Sequence, residues 1–211
     1  MTPDDALADR LLRAAEGGDR DALDGLLAFW RPRLRQMIAV RLDPQLAIRA
    51  DASDVVQEAL MEASRRFPEY TRSRPVPFYL WLRQLACQRL TDLYRRHVRA
   101  RRRSVYAEEA MMPPLPDQSA MSLANVLVAS GTAPSQRMQR EEKRDLVRAA
   151  LDRLAPADRE VLVLRHLEQL STREVATILN VSEPAVRYRH RRALQRLADC
   201  LSGAFGEGGA Q

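Results

Sequence analysis

The chain has 211 residues, of which 45% are hydrophobic and 29% are charged, and its formal net charge at pH 7 is +6. This length suits one large domain or two small ones, and the hydrophobic fraction can build a core, which excludes a wholly disordered chain. Lys143 is the only lysine among 34 basic residues. Arginine suits bidentate phosphate and base contacts better than lysine does, but a GC-rich genome produces the same bias, so this evidence for nucleic-acid binding is weak.

The two cysteines, Cys87 and Cys200, fall in separate helical patterns without metal-ligand spacing, so we expect small buried thiols in a reducing compartment. The first residues contain neither a basic segment nor an apolar run of the signal-peptide kind, and no apolar stretch is long enough to span a bilayer. The expectation is a cytoplasmic protein without membrane insertion. No metal or other cofactor is predicted.

The first module is predicted to start with a short helix that ends at Gly17-Gly18, after which Asp19 can cap the next helix. That second helix spans 21–42, and Pro32 inside its pattern predicts a kink or a short break. Its apolar positions recur at helical spacing: Leu23, Leu26, Leu27, Trp30, Leu34, Met37, Ile38 and Leu42.

A third helix is predicted from about Asp51 to Arg66, with Pro68 as its stop. Apolar side chains form one stripe along it: Val55, Val56, Ala59, Leu60 and Ala63. Its other faces carry acidic and amide side chains: Asp51, Asp54, Gln57, Glu58 and Glu62. Because the helix dipole favours carboxylates near a helix N-terminus, periodicity alone indicates an ordinary solvated polar face.

A basic, proline-bounded loop over 72–77 precedes a long helix from Phe78 to about Arg103. Its first half carries a core stripe: Phe78, Trp81, Leu82, Leu85, Ala86, Leu90 and Leu93. Its second half carries seven arginines: Arg89, Arg95, Arg96, Arg99, Arg101, Arg102 and Arg103. Such a charge density favours phosphate, because each neutralised phosphate releases condensed counterions, and Tyr94 beside it can stack on an exposed base. A merely solvated basic face is the alternative.

Residues 104–139 break periodicity with prolines and serines and are predicted to be a flexible linker, in which only 122–129 could form one or two helical turns. A second module is predicted over 140–202. It has one helix ending near Leu154, another starting at Pro156 and Asp158, and then two more. The glycine-rich tail, 203–211, is predicted to be disordered.

The end of the second module has the pattern of a helix-turn-helix. Ser171 with Glu174 has the form of a capping box, Asn180 tolerates the left-handed conformation that closes a helix, and Ser182 can cap the helix that follows. One side of the last helix is apolar apart from a histidine: Val186, His190, Ala193, Leu194, Leu197 and Leu201. The other side carries Arg187, Tyr188, Arg191 and Arg192. Arginine forks there could grip phosphates or read guanine in a major groove, and an arginine-rich solvated face is the alternative.

These motifs, in this order, resemble those of bacterial RNA polymerase sigma factors. Two runs resemble sigma region 2: Asp51-x-x-Asp54-Val55-Val56-Gln57-Glu58 and Phe78-x-x-Trp81-Leu82-x-x-x-Ala86. Region 4 is resembled by Leu154-x-Pro156-x-x-Arg159-x-Val161, by 171–176 and by Val186-Arg187-x-Arg189. The spacing and length are similar to those of the extracytoplasmic-function (ECF) group of the sigma-70 superfamily. The expected fold is therefore all-α, with a region 2 domain over 1–103 and a region 4 domain over 140–202.

The resemblance implies a subunit without catalysis of its own, which directs promoter-specific initiation by core RNA polymerase. It implies contacts to the β′ clamp coiled coil and the β flap, binding of promoter DNA, and an anti-sigma factor as a further class of partner. On the polymerase side it implies these residues: Asp51, Asp54, Gln57 and Glu58. For the −10 element it implies capture of a flipped base by the loop 70–77, with these residues: Tyr70, Arg72, Arg74, Arg89, Arg95, Arg96 and Arg99. For the −35 element it implies these: Ser182, Ala185, Arg187, Tyr188, Arg191 and Arg192.

Two positions depart from the family pattern. His190 stands where an aliphatic residue is usual, and Tyr188 stands where a small residue is frequent. The −35 sequence is therefore not implied by the resemblance.

Two other classes of function remain as rivals. A polymerase-independent helix-turn-helix regulator would bind palindromic half-sites as a dimer, but it leaves the first hundred residues without a purpose. An enzyme acting on nucleic acid needs an activated nucleophile or a metal-holding carboxylate group. Its only candidate cluster is Asp51, Asp54 and Glu58 on one helix, because the three histidines His97, His166 and His190 are scattered along the sequence.

Overall fold

In a computed structural model of the chain, the structure describes residues 3–42, 51–101, 123, 124, 126 and 146–206. All regular secondary structure in this part of the chain is helical, so the prediction of an all-α fold is confirmed. The chain divides into two compact units, Met1–Pro114 and Leu115–Gln211. Most of the predicted linker lies outside the described residues, but Leu123 and Ala124 within it are helical and buried.

The first unit contains four helices in its described part: α1 (Pro3–Glu16), α2 (Arg20–Arg41), α3 (Ala52–Ser73) and α4 (Phe78–Arg101). Helix α1 packs on α2, and α2, α3 and α4 pack on one another. The predicted cap is present, since the Asp19 carboxylate accepts a hydrogen bond of 3.0 Å from the backbone N–H of Ala22. The predicted apolar stripes supply the core, in which Leu34, Ile38, Ala63, Ala86 and Leu90 are fully buried.

Neither proline ends its helix. The prediction of a stop at Pro68 is wrong, because α3 continues to Ser73, and at Pro32 the short break, one of the two predicted outcomes, is absent from α2. A proline inside a helix costs about 3 kcal/mol, whereas burying one large apolar side chain contributes about 1.5–3 kcal/mol. Phe67 and Tyr70 are both buried on either side of Pro68, and together they offset its cost.

Helix α4 is more central than a single core stripe indicates. Besides the predicted stripe, Tyr79, Leu80, Arg83 and Cys87 are also buried, so the first half of the helix is surrounded by protein. The prediction of a buried Cys87 is confirmed, and its sulfur lies 4.0 Å from that of Met37.

After Leu123 and Ala124, the described part of the second unit continues with α5 (residues 146–153) and α6 (Pro156–Leu162), which is followed by a π-helical turn (Val163–Leu167). Then follow α7 (Thr172–Leu179) and α8 (Glu183–Gly206). Helix α8 packs on α6 and α7. It extends past the predicted end at residue 202, so the prediction of a disordered tail is wrong for residues 203–206, and residues 207–211 lie outside the described part.

Candidate polymerase and nucleic-acid interfaces

An acidic and amide face lies near the start of α3. Asp54, Gln57 and Glu58 are exposed, and their spacing of three and four residues places them on one side of the helix. Asp51 precedes the first turn, and its backbone N–H donates a 3.3 Å hydrogen bond to the Asp54 carboxylate, which holds that carboxylate at the helix N-terminus. Met61, one turn further along this face, is 51% exposed. The sequence prediction missed Met61, although its position three residues after Glu58 was a signal for it.

The loop that joins α3 to α4 is shorter than predicted. Residues 70–73 belong to α3, so only residues 74–77 form the connection. Arg74 closes the helix in the left-handed conformation, with φ 38°, and its backbone N–H donates to the Tyr70 carbonyl at 2.8 Å. The loop thus starts from a fixed geometry.

The buried side chain of Tyr70 anchors the loop 74–77. Its ring stacks on that of Trp81 with centroids 4.7 Å apart, and its hydroxyl donates a 3.1 Å hydrogen bond to the Val76 carbonyl. Burial raises the pKa of the Tyr70 hydroxyl, so it stays protonated and keeps its role as donor. The resemblance implied that Tyr70 belongs to the base-capturing loop. In the structure its ring belongs instead to an aromatic cluster that supports the loop, formed by Phe67, Tyr70, Phe78 and Trp81.

A cavity of about 180 Å³ lies beside the loop. It is smaller than the pockets that hold drug-sized ligands, which range over about 300–1,000 Å³. Aromatic, amide and charged side chains line it: Arg66, Glu69, Tyr70, Ser73, Pro75, Trp81, Gln84, Leu85 and Gln88. Gln84 and Gln88 were missed by sequence reasoning, although they follow Trp81 at intervals of three and seven residues, which places all three on the same side of α4.

The arginines predicted to bind the −10 element differ in how far they are engaged within the protein. Arg89 pairs with Glu62 at 3.4 Å, Arg74 pairs with Glu16, and Arg72 and Arg96 donate to backbone carbonyls. Arg95 is exposed and contacts no partner among the described residues. The side chain of Arg99 lies outside the described part. Arg95 is therefore the described arginine of this set most available to an external anion.

Tyr94 fixes where the basic end of α4 lies. Its half-buried hydroxyl donates a 3.0 Å hydrogen bond to the carbonyl of Arg41, at the end of α2. The sequence indicated a ring that could stack on a base, but this hydrogen bond ties the ring to the fold. Arg95 and Arg96 follow directly and are exposed.

The predicted helix-turn-helix is present in the second unit. The Ser171 hydroxyl accepts from the Glu174 N–H at 3.2 Å, while the Ser171 N–H donates to the Glu174 carboxylate at 2.7 Å, which completes the capping box. Asn180 closes α7 with φ 50° and ψ 49°. The Ser182 hydroxyl accepts from the Ala185 N–H at 3.4 Å at the start of α8. Each of these local predictions is confirmed.

The outward face of α8 carries Arg187, Tyr188 and Arg191, all exposed. Arg187 forms a 3.3 Å ion pair with Glu183, one turn earlier on the surface. Arg191 contacts no partner within the described residues. Ser182 and Ala185 lie at the N-terminal end of the same helix. A helix that presents arginines and one tyrosine to solvent beside a completed turn has the shape and charge to enter a major groove.

Arg192 was predicted to belong to this face, but its guanidinium turns back onto the protein. It donates a 2.8 Å hydrogen bond to Asp158, a fully buried carboxylate in the first turn of α6. Arg196 donates to the other oxygen of Asp158 at 2.6 Å. The hydrogen bond that Arg192 donates to Asp158 and the negative charge of that carboxylate raise the pKa of Arg192. Sequence reasoning missed both Asp158 and Arg196 as partners.

The structure brings together two histidines that the sequence had left apart. The Nε2 atoms of His166, in the π-helical turn, and His190, in α8, are within hydrogen-bond distance, and the two ring planes are inclined by only 23°. Burial is the first cause that lowers the pKa of each histidine, and the positive charge of Arg165 adds to it. His190, which stands where the family has an aliphatic residue, is thus satisfied by a histidine partner.

No group of three or more metal-ligating side chains occurs among the described residues. Within the same part of the chain, the structure contains no helix with the length and apolar character needed to cross a bilayer.

Comparisons with known proteins identify both units. Residues 30–100 match the model of sigma-70 region 2, and residues 144–197 match that of sigma-70 region 4. The RNA polymerase sigma factor CnrH of Cupriavidus metallidurans is 30% identical over 207 residues, which cover 95% of this chain and 97% of the relative. The ECF RNA polymerase sigma factor SigD of Mycobacterium tuberculosis is 29% identical over 94% of this chain and 86% of its own length.

A solved structure shows the same fold. The structure of CnrH in complex with the cytosolic domain of CnrY matches with a TM-score of 0.53 at 24% sequence identity. The match covers 93% of this chain and 98% of that one.

Proposed function

Because the chain belongs to the ECF group of the sigma-70 family, whose members direct promoter-specific initiation by RNA polymerase, we propose a division of labour between its two units. The first unit docks on core RNA polymerase and captures the −10 element, and the second reads the −35 element. The domains proposed for these tasks are 1–103 and 140–202, joined by 104–139. The observation that carries the proposal is the pair of solvent-facing surfaces, one acidic on α3 and one basic on α8, in a chain that matches both regions.

The acidic face is the proposed contact to the β′ clamp coiled coil. Asp54, Gln57 and Glu58 project from one side of α3 and are exposed, as a docking surface requires. Asp51 sets the start of the helix, and Met61 adds an apolar contact at the edge of the face. Charged residues at the rim of an interface mainly give specificity and a faster association rate, while a desolvated apolar residue adds affinity. The second unit is proposed to contact the β flap.

The cavity beside the loop 74–77 is the proposed pocket for one unpaired base of the −10 element. Flipping a base costs a few kcal/mol of stacking, and stacking on aromatic rings returns about 1–3 kcal/mol per base. Trp81 and the amides of Gln84 and Gln88 line the cavity and could contact a base. Arg95 and Arg99, with Arg72, Arg74, Arg89 and Arg96, are proposed to hold the backbone of the melted strand.

The outward face of α8 is the proposed reader of the −35 element. Arg191 is exposed and contacts no partner among the described residues, so its guanidinium can bind phosphate or a base edge without breaking a contact. Arg187 needs only to exchange a surface ion pair, which is worth little. Ser182 and Ala185 lie at the end of α8 that would enter the groove first.

The proposed action is not enzymatic: the chain binds polymerase and DNA, and chemistry stays with the polymerase. The place of action is the cytoplasm, where both partners are. An anti-sigma factor is proposed as a further partner, because the related CnrH has been solved in complex with the cytosolic domain of CnrY. The polymerase-independent regulator is the disfavoured alternative, since it does not use region 2.

The test is co-elution of the purified chain with bacterial core RNA polymerase on a sizing column. We expect a one-to-one complex that Asp54→Ala and Gln57→Ala weaken. Asp24→Ala, which removes an exposed carboxylate from α2, is the matched control and leaves the complex intact. If the wild-type chain elutes apart from the polymerase and binds duplex DNA tightly by itself, the proposal is wrong and the independent regulator takes its place.

A further inference from the structure

Asp158 occupies an unusual place for a carboxylate. Its side chain has 0% exposure, and both of its oxygens accept hydrogen bonds from arginines of α8: Arg192 at 2.8 Å and Arg196 at 2.6 Å. A buried carboxylate is tolerated only when it is paired and hydrogen-bonded. The two arginines are four residues apart, so both reach Asp158 from the same side of α8.

This arrangement restricts how α8 can turn. A single ion pair would allow the helix to rotate or slide about one contact. Two contacts, one helical turn apart, fix both the rotation of α8 about its axis and its position along that axis relative to α6. Helices α6 and α8 also pack through apolar surfaces, and Val161 and Ala193 on them are fully buried. Apolar contacts do not by themselves select one rotation as strictly as two charge-assisted hydrogen bonds do.

Arg192 also reaches the outward face. Its Cζ atom lies 5.9 Å from the centroid of the Tyr188 ring, within the range of a cation–π contact. Tyr188 is 65% exposed and is one of the few large apolar side chains so exposed in the described part of the chain. Arg192 therefore connects a buried carboxylate on one side to an exposed ring on the other.

We propose that Asp158 and Arg192 are positioning residues for promoter recognition: they fix the Tyr188 ring where it contacts one base pair of the −35 element. This inference rests on the proposed reading of that element by α8, and it assigns Tyr188 as the specificity-determining residue. Arg192 serves the helix and its tyrosine and does not read DNA itself. A ring edge and a phenolic O–H together suit a thymine methyl group and an adjacent acceptor in the major groove.

The experiment uses the holoenzyme, formed from core RNA polymerase and the full chain, and a promoter library randomised across the −35 region. The binding step is carried out at a temperature below the Tm of every variant, and the bound DNA is then sequenced. We expect Tyr188→Ala to lower the base preference at one position about tenfold, within the range for one base contact. Asp158→Asn and Arg192→Gln lower the preference at the same position several-fold, and neither adds to the loss when combined with Tyr188→Ala.

Two further variants separate positioning from folding. Arg192→Gln leaves Asp158 paired with Arg196, so it keeps the fold even where Asp158→Asn does not. Asp152→Asn is the control, because it removes the ion pair of an exposed carboxylate with Arg159 in the same unit, at 3.6 Å, and changes no residue of α8. It should leave every base preference unchanged.

The outcomes distinguish this inference from the proposed function. If the wild-type holoenzyme shows no −35 preference at all, both are overturned. If the wild type has a preference, and Asp158→Asn and Arg192→Gln only weaken binding to all sequences equally, the positioning role alone is overturned. It is also overturned if Arg192→Gln changes the preference at a base pair that Tyr188→Ala leaves intact, because Arg192 would then read DNA directly.

Discussion

The Nε2 atoms of His166 and His190 lie 3.0 Å apart, so a hydrogen bond between two neutral imidazoles joins the π-helical turn to α8. One ring donates its N–H and the other accepts through its lone pair. Protonation of both rings would replace this bond by the contact of two positive charges, next to the guanidinium of Arg165. This pair therefore makes the stability of the second unit depend on pH.

The first prediction concerns acid. The pKa of each histidine is lowered from 6.5 in the fold, chiefly by burial, so the unfolded chain binds more protons than the folded one in this range. The stability that the neutral pair contributes is complete above about pH 6.5 and falls as the pH drops from there through the lowered pKa values. Thermal unfolding of the chain followed by circular dichroism should give a lower Tm at pH 5.5 than at pH 7.5.

The double variant His166→Phe/His190→Phe should lose most of this difference in Tm between the two pH values. His97→Gln, which removes the third histidine of the chain, should keep it. An equal acid sensitivity in the double variant and the wild type would contradict the assignment to this pair.

The second prediction concerns the loop anchor. Tyr70→Phe keeps the aromatic ring of the cluster but removes the hydrogen bond to the Val76 carbonyl, which is worth about 0.5–1.5 kcal/mol. The loop 74–77 then loses its anchor, so opening of the −10 strand should become slower while the affinity for core polymerase stays the same. The measurement is the fluorescence of a 2-aminopurine base placed in the −10 element.

Thr71→Val is the matched control for the loop anchor. Thr71 is the residue next to Tyr70, and its hydroxyl donates a 3.1 Å hydrogen bond to the Pro68 carbonyl. The substitution removes this bond and leaves the contacts of the loop 74–77 unchanged. Equal opening rates for Tyr70→Phe and the wild type would show that the anchor has no part in strand capture.

The third prediction separates two arginines of the second unit. Arg191→Gln should weaken promoter binding by the holoenzyme and lower the slope of log K against log salt concentration by about 0.9, as expected for one lost phosphate contact. Arg153→Gln removes another exposed charge, from α5, and should leave the slope unchanged. Titrations at several salt concentrations give both slopes. A slope for Arg191→Gln equal to that of the wild type would remove Arg191 from the set of phosphate contacts.

The fourth prediction concerns stability at Asp158. Asp158→Ala removes the acceptor of two charge-assisted hydrogen bonds, each of a kind worth about 1.5–3 kcal/mol. Arg192 and Arg196 are partly exposed, so their guanidinium groups can be solvated once Asp158 is removed. We therefore expect the substitution to lower the free energy of unfolding by about 1.5–3 kcal/mol in total and not by that amount for each bond. Asp152→Ala, which removes an exposed carboxylate from its ion pair with Arg159, should cost under about 1 kcal/mol.

The measurement for Asp158 is chemical unfolding followed by circular dichroism. Both tryptophans, Trp30 and Trp81, lie in the first unit, so their fluorescence does not report on the second. A cost for Asp158→Ala no larger than that for Asp152→Ala would contradict the role of the buried carboxylate.

Local signals in the sequence predicted local structure well. The capping box of Ser171 and Glu174 and the left-handed Asn180 are each decided by neighbours within one turn, so the sequence contains all the information they need. The same holds for Asp19 and for the apolar stripes. Pro68 failed as a helix stop because its effect is decided by distant partners: Phe67 and Tyr70 bury themselves against the start of α4, which no local rule includes.

Contacts between side chains on different helices could not be predicted from local sequence patterns. Asp158 and Arg192 are 34 residues apart, and His166 and His190 are 24 apart, so their contacts depend on how α6 and α8 pack. For this reason the helical faces of the candidate site were predictable, whereas the engagement of each charge within the protein was not. Arg191 and Arg192 look alike in the sequence, yet one is exposed to solvent and the other is held by a buried carboxylate.

The most direct test of the account is transcription from a library of promoter DNA by core RNA polymerase, with and without the purified chain, followed by sequencing of the templates that give transcripts. The account predicts that two separated sequence elements, near −10 and −35, are enriched only when the chain is present. Identical template use with and without the chain, while the chain alone selects a palindromic duplex, would contradict it.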